Sequence, residues 1–179
     1  GALLLLQLAN TLSGPPGIQR LEDDGAERIA ACPHLASLRT LRLADQDLSD
    51  AGVIALARSP HLSGLHHLDL SDNDLGPAAA RVIVRAFPAL RTLRLAGCGL
   101  DDEAGAVLAR APLGDLRHLD LDRNLLTDRT AAALAAAPER ADLTRLTLHG
   151  CRLTRAGREA LRTRWPDRRM LRCLSLIHI

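Results

Sequence analysis

The chain has 179 residues and carries 23 arginines, no lysine and 21 acids, for a formal net charge of +2. That balance excludes bulk electrostatic attraction to nucleic acid or to an anionic membrane as the basis of function. Aromatic residues are reduced to Phe87 and Trp165, with no tyrosine, so a binding surface has to rely on arginine and histidine instead of aromatic anchors.

Gly1 to Arg20 show none of the periodicity that follows. The apolar run Ala2 to Leu6 is short and lacks both a basic flank and a small-residue cleavage pattern, so it does not read as a secretion signal. Gly14, Pro15, Pro16 and Gly17 stand where a strand would fall, and proline cannot donate to an interior ladder. Residues 1–20 are expected to be a divergent N-terminal repeat or cap, truncated upstream.

From Leu21 onward one pattern returns. LASLRTLRLADQDL, LSGLHHLDLSDNDL, FPALRTLRLAGCGL, LGDLRHLDLDRNLL and ADLTRLTLHGCRL fit LxxLxLxx(N/C/Q)xL, with first leucines at Leu38, Leu65, Leu90, Leu116 and Leu143 and spacings of 27, 25, 26 and 27 residues. A sixth, partial unit aligns Leu21 to Leu38 without gaps on Leu48 to Leu65, setting Gly25 on Gly52 and Ile29 on Leu56. The LxL core has strand periodicity, so positions four and six turn inward and positions three, five and seven face the other way. Eight residues beyond the last motif leucine stand Ile29, Leu56, Ile83, Leu108, Leu134 and Leu161, the inward contacts of a helix.

Asp50, Asp101, Asp128 and Thr154 read as helix caps, and Pro77 falls in a first helical turn. Pro33, Pro60, Pro88, Pro112 and Pro138 close each helix before the next strand. Residues 21–164 are expected to form the array, with 165–173 as a C-terminal cap. Leu174 to Ile179, LSLIHI, is expected to be a sequencing-adapter remnant, which makes the chain a fragment.

The ninth motif position holds Gln46, Asn73, Cys98, Asn124 and Cys151. Asparagine there is expected to bond backbone groups of neighbouring turns in a ladder, with the thiol a weaker substitute. Cys98 and Cys151 lie two strands apart, about 10 Å, beyond disulfide reach. With Cys32 and Cys173 they read as reduced thiols in a cytoplasmic protein.

Position five runs Arg42, Asp69, Arg94, Asp120, Thr147, and position three runs Thr40, His67, Thr92, His118, Arg145. Strands about 4.8 Å apart set the first series in a row of alternating charge. With His67, His118, Asp122, Arg145 and His149, the row Arg42, Asp69, Arg94 and Asp120 is the candidate partner-binding strip. The competing reading is that these charges only satisfy one another and keep the sheet soluble.

No catalytic set is expected from the periodic positions, and no glycine-rich phosphate loop follows a strand. No metal site is expected either, because His66 and His67 point to opposite faces and His67 and His118 stand two strands apart. Arg152, Arg155, Arg158, Arg162, Arg164, Arg168, Arg169 and Arg172 face only Glu159 and Asp167. In a last repeat this reads as a polar cap, since no aromatics are interleaved for base stacking.

These features resemble the ribonuclease-inhibitor-like branch of the leucine-rich repeat proteins, in which each repeat carries a full helix. LRTLRLA recurs at Leu38 and Leu90, and HLDL with a ninth-position Asn recurs in the repeats of Leu65 and Leu116. This is similar to the two-type alternation of that inhibitor, with shorter repeats. SPHL, GPAAA and GREALRTRWPDRR look like bacterial members, although Trp165-Pro166-Asp167-Arg168 has proline where their closing aromatic-Gly-Asp-Arg run has glycine. The resemblance implies an α/β leucine-rich repeat solenoid, a horseshoe with a concave parallel β-sheet and convex α-helices.

The resemblance also implies a non-catalytic protein–protein interaction module or scaffold, a monomer with a protein partner and no cofactor. Nucleic acid and membrane are not expected partners. Two other readings stay open: a GTPase regulator of the Ran GTPase-activating type, which shares the repeat fold, and the recognition half of an effector enzyme whose catalytic domain lies outside this chain.

Overall fold

Leucine at every inward position of a three-residue strand leaves each coil with one apolar edge and nothing of its own to bury it against, so the coils stack. The computed structural model describes residues 20–111, 114–137 and 143–166. In chain order these form α1 (Glu22–Ala30), a 3-10 turn (Pro33–Leu35), β1 (Thr40–Arg42), α2 (Asp50–Arg58), β2 (His67–Asp69) and α3 (Pro77–Ala86). There follow β3 (Thr92–Arg94), α4 (Asp102–Arg110), β4 (His118–Asp120), α5 (Asp128–Ala136), β5 (Arg145–Thr147) and α6 (Arg155–Arg164). The five strands form one parallel sheet in sequence order. The helices cover one face, which makes an α/β solenoid.

Three leucine columns make the spine: Leu41 to Leu146 at position four, Leu43 to Leu148 at position six, and Leu48 to Leu153 at the turn, all buried. The helix column Ile29, Leu56, Ile83, Leu108, Leu134 and Leu161 closes against them. Each such side chain contributes roughly 1.5–3 kcal/mol on leaving water. Helices of nine or ten residues are too short to persist alone, so this stacking is what holds them.

The ninth-position ladder forms as expected. Asn73 Oδ1 accepts from the amides of Gln46 (3.1 Å) and Leu48 (2.9 Å), while its Nδ2 donates to the carbonyls of Leu43 and Leu70 (both 2.8 Å). Asn124 repeats this with the Cys98 and Leu100 amides and the Leu95 and Leu121 carbonyls. Cys98 and Cys151 make the donor half, each thiol reaching a carbonyl one coil back at 3.2 Å. Gln46 takes no such part, because its longer amide folds back onto the Ala44 and Asp45 carbonyls.

Helix capping differs from the sequence expectation. Asp101 and Thr154 do cap their own helices, but Ser49 and Thr127 take the cap positions expected of Asp50 and Asp128. The aspartates sit one residue further on and reach forward to the next helix. Asp23 accepts from the Ser49 and Gly52 amides (2.9 and 3.0 Å), and Asp50 from those of Gly76 and Ala79 (2.7 and 3.1 Å). Asp102 receives the amides and hydroxyls of both Thr127 and Thr130, and Asp128 the amide and hydroxyl of Thr154. Pro77 stands where α3 would carry this aspartate, and there alone the next helix supplies its own carboxylate, Asp101.

Apart from Arg20, the divergent repeat or cap expected at residues 1–20 lies outside the described residues, as do the closing prolines Pro112 and Pro138 and Asp167, Arg168, Arg169, Arg172, Cys173 and 174–179. Trp165 packs against the end of the core, and Arg164 stacks over its ring at 5.8 Å.

Desolvation pushes the Asp102 carboxyl up, but the bonds from Thr127 and Thr130 outweigh it and hold it below its ordinary value. Asp23 behaves likewise with Ser49 and Gly52. A carboxylate held low in the fold stabilises it above the unfolded pKa of about 3.9, and that stability is lost as pH falls through the lower folded value. Asp102→Asn is expected to lose about 1 kcal/mol near neutrality and to show a shallower decline in acid than the parent. Urea titrations at neutral pH and at pH about 3 check this, and identical acid limbs would contradict it.

Candidate functional site

The face of the sheet away from the helices carries the odd motif positions in register. Thr40 pairs with His67, His67 with Thr92, Thr92 with His118 and His118 with Arg145. Beside them Arg42, Asp69, Arg94, Asp120 and Thr147 form the second row, so the alternating charges stand on adjacent strands as their spacing predicted.

The row is only partly self-satisfied. Arg94 approaches Asp69 at 3.5 Å with its own side chain 44% exposed, a pair worth at most about 1 kcal/mol. Asp69 Oδ1 also accepts from the amide and hydroxyl of Ser71. Asp120 Oδ1 accepts from the buried Thr147 hydroxyl (2.7 Å) and the Asp122 amide (3.2 Å), so it braces the sheet. Arg42 is exposed and makes no ion pair among the described residues.

Arg42, His67, Asp69, Arg94 and His118 line one hollow of about 280 Å³, floored by Leu41 and Leu68 and edged by Thr40 and Thr92. Asp120, Asp122, Arg145 and His149 are not part of it. His149 is exposed, and its amide donates to Asp122 Oδ1 at 2.7 Å. Arg145 is exposed on β5, and its charge bears on His118. His118 is the one residue of the hollow with a buried, unbonded polar atom, Nε2. Burial first, then Arg145 and Arg94, hold its pKa below the ordinary imidazole value against the opposing pull of Asp120 and Asp122, so the ring is neutral at physiological pH.

One pair on this side was not anticipated. The eighth motif position is left-handed in every coil, with φ of 57° at Asp45, 57° at Asp72, 67° at Gly97, 56° at Arg123 and 72° at Gly150. Arg123 reaches across Gly97 to Asp72 at 3.0 Å, and a Cβ on Gly97 would lie 2.3 Å from the Asp72 carboxylate. The signal was present in the spacing, since Asp72 and Arg123 hold the same position two repeats apart with a glycine between. Among the described residues no group of three or more His, Cys, Asp or Glu is placed to hold a metal ion.

Segments 34–57, 61–84 and 88–109 match the family model described as leucine rich repeat. The chain carries leucine-rich repeats. The tropomodulin C-terminal domain of Caenorhabditis elegans is similar to this leucine-rich repeat solenoid, with a TM-score of 0.60 and 14% identity over 80% of this chain and 91% of that one. At that identity the likeness concerns the fold alone. A chain of the BIR3–SERK2 complex from Arabidopsis thaliana aligns at 26% identity over 64% of this chain and 56% of that one, with a TM-score of 0.40. A comparison with curated proteins gives no match.

Burial pushes the Cys98 thiol up to about 11, which leaves almost no thiolate at neutral pH. Iodoacetamide added to the native solenoid is expected to modify the part-exposed Cys32 and to spare Cys98, as read by peptide mapping. Equal labelling of Cys98 would mean that the ladder opens without unfolding.

Proposed function

We propose that the solenoid is a non-catalytic protein-binding module whose partner seats on the open face of the sheet, over the hollow between Arg42, His67, Arg94 and His118. The observation that carries this reading is the exposure there of two guanidinium groups only weakly countered by Asp69, beside the unbonded His118 Nε2. A buried nitrogen without a partner costs free energy that a ligand returns by bonding it. Arginine is also the side chain best suited to specific contacts where aromatics are scarce.

A monomeric, cytoplasmic protein of the ribonuclease-inhibitor-like kind fits this reading. Support comes from a full helix in each described repeat, the Asn–Cys alternation of the ladder, and the free thiols of Cys32 and Cys98. Leu125 is the only large apolar side chain exposed among the described residues, so no apolar patch calls for self-association. No described helix is long and apolar enough to cross a membrane.

Among the described residues Arg42 makes no ion pair and Arg94 only the weak one with Asp69, whereas Asp120 braces Thr147. Arg42→Glu combined with Arg94→Glu is therefore the sharper test of the strip. Proteins captured from a native lysate by the parent are expected to be lost from this variant and kept by Arg85→Glu on α3, with unchanged circular dichroism. The same proteins captured by all three would remove the open face from consideration.

A further inference from the structure

The second motif position of each repeat lies where the strands begin and belongs to neither row of the strip. It reads Arg39, His66, Arg91, Arg117 and Thr144. These residues are stacked by the backbone: His66 and His67 amides donate to the Arg39 carbonyl, Arg91 and Thr92 to that of His66, Arg117 and His118 to that of Arg91, and Thr144 and Arg145 to that of Arg117. Four cationic or basic side chains thus follow one another at about 4.8 Å, a row of about 14 Å.

No ion pair among the described residues neutralises them. Arg39, Arg91 and Arg117 are exposed and make no ion pair among the described residues; Arg39 donates to the Gly64 carbonyl at 3.1 Å, and the Thr144 hydroxyl to the Arg117 carbonyl at 3.0 Å. The crowding is visible at His66, whose pKa is held below its ordinary value by desolvation, then by Arg91, Arg39 and His67, with Asp115 the sole acid opposing. At the other end of the strands the charges are acidic and largely matched. Arg20 pairs with Asp45 and Asp47, and Arg123 with Asp72. The sheet is therefore polarised along the strand direction, with a row of unpaired arginines at the edge where the strands start, next to the weakly countered Arg42 and Arg94 of the strip.

We propose that this edge is an anion-binding rim, formed by Arg39, His66, Arg91 and Arg117, which takes an extended acidic segment of a partner protein. The proposal rests on the reading of the open face as a protein-binding surface and names the chemistry of the partner. Along the row the guanidinium-bearing positions stand about 9.6 Å (Arg39 to Arg91) and about 4.8 Å (Arg91 to Arg117) apart, and an extended chain carrying acids about 6.6–7 Å apart on one side is met by the long adjustable arginine stems. His67, His118 and Arg145 line the next rank inward and offer further donors. Nucleic acid fits less well: Asp69, Asp72 and Asp120 face a wider phosphate backbone, and no aromatic platform is present, Phe87 being buried in the core.

Labelled oligoglutamate and oligothymidylate of equal length, titrated separately into the full chain and followed by anisotropy, test this. Binding of oligoglutamate is expected to be saturable at low ionic strength and to weaken with added salt. Arg39→Ser, Arg91→Ser and Arg117→Ser together are expected to weaken it by about tenfold or more. Arg58→Ser, Arg85→Ser and Arg110→Ser, which remove the same charge from helix ends, are expected to leave it within about twofold. Equal weakening by both triple variants, or no saturable binding, would overturn the rim. Tighter, rim-dependent binding of oligothymidylate would overturn the acidic segment in favour of nucleic acid. Because the peptide is supplied, this result does not depend on the capture experiment, and either reading can fail without the other.

Discussion

Each coil of the solenoid turns its backbone inward just after the strand, where water is excluded, and the amides and carbonyls exposed by that turn must be satisfied from the neighbouring coil. Asn73 and Asn124 do this with both ends of the side-chain amide, accepting from two amides of the preceding coil and donating to carbonyls of that coil and their own. A buried polar group left unmatched costs roughly 1–3 kcal/mol. The turn is therefore where stacking is decided, and the leucine columns then supply the bulk of the free energy.

The forward-reaching aspartates extend the same logic to the helix layer. Asp23, Asp50, Asp102 and Asp128 each tie the start of one helix to the next, placing a carboxylate at the positive end of its dipole. Sheet and turn are thus bonded between each pair of strand-bearing coils, and the helix starts at each described step except that from α3 to α4, where Pro77 replaces the aspartate. With the interior settled in this way, the outward strand positions are free to vary, and the chain has filled them with arginine, histidine and aspartate.

What was legible in the sequence follows from what is local or periodic. Leucine spacing is both, so the strands, their parallel order and the pairing of Arg42 with Asp69 and of Arg94 with Asp120 could be read from it. The helix caps could not: Ser49 and Asp50 are both good capping residues, and only the bond from Asp50 to Gly76, 26 residues away, shows which serves which helix. The Asp72–Arg123 bridge had its signal in the shared motif position with a glycine between, but it spans two coils and closes only once they are stacked. Of the nine residues of the candidate strip, the five lining the hollow were brought together, whereas Asp120 proved to brace Thr147 and Asp122 to hold the His149 amide.

A surface built this way is rigid, polar and directional, with compensated acids at one edge and bare arginines at the other. Its rigidity depends on the ladder beneath it. The most direct test is equilibrium unfolding of Asn124→Ala, in which the Cys98 and Leu100 amides lose their acceptor. If the ladder couples the coils, stability falls by about 3 kcal/mol while unfolding remains one cooperative transition. A loss below about 0.5 kcal/mol would show that the leucine columns hold the coils together without it and would contradict the account.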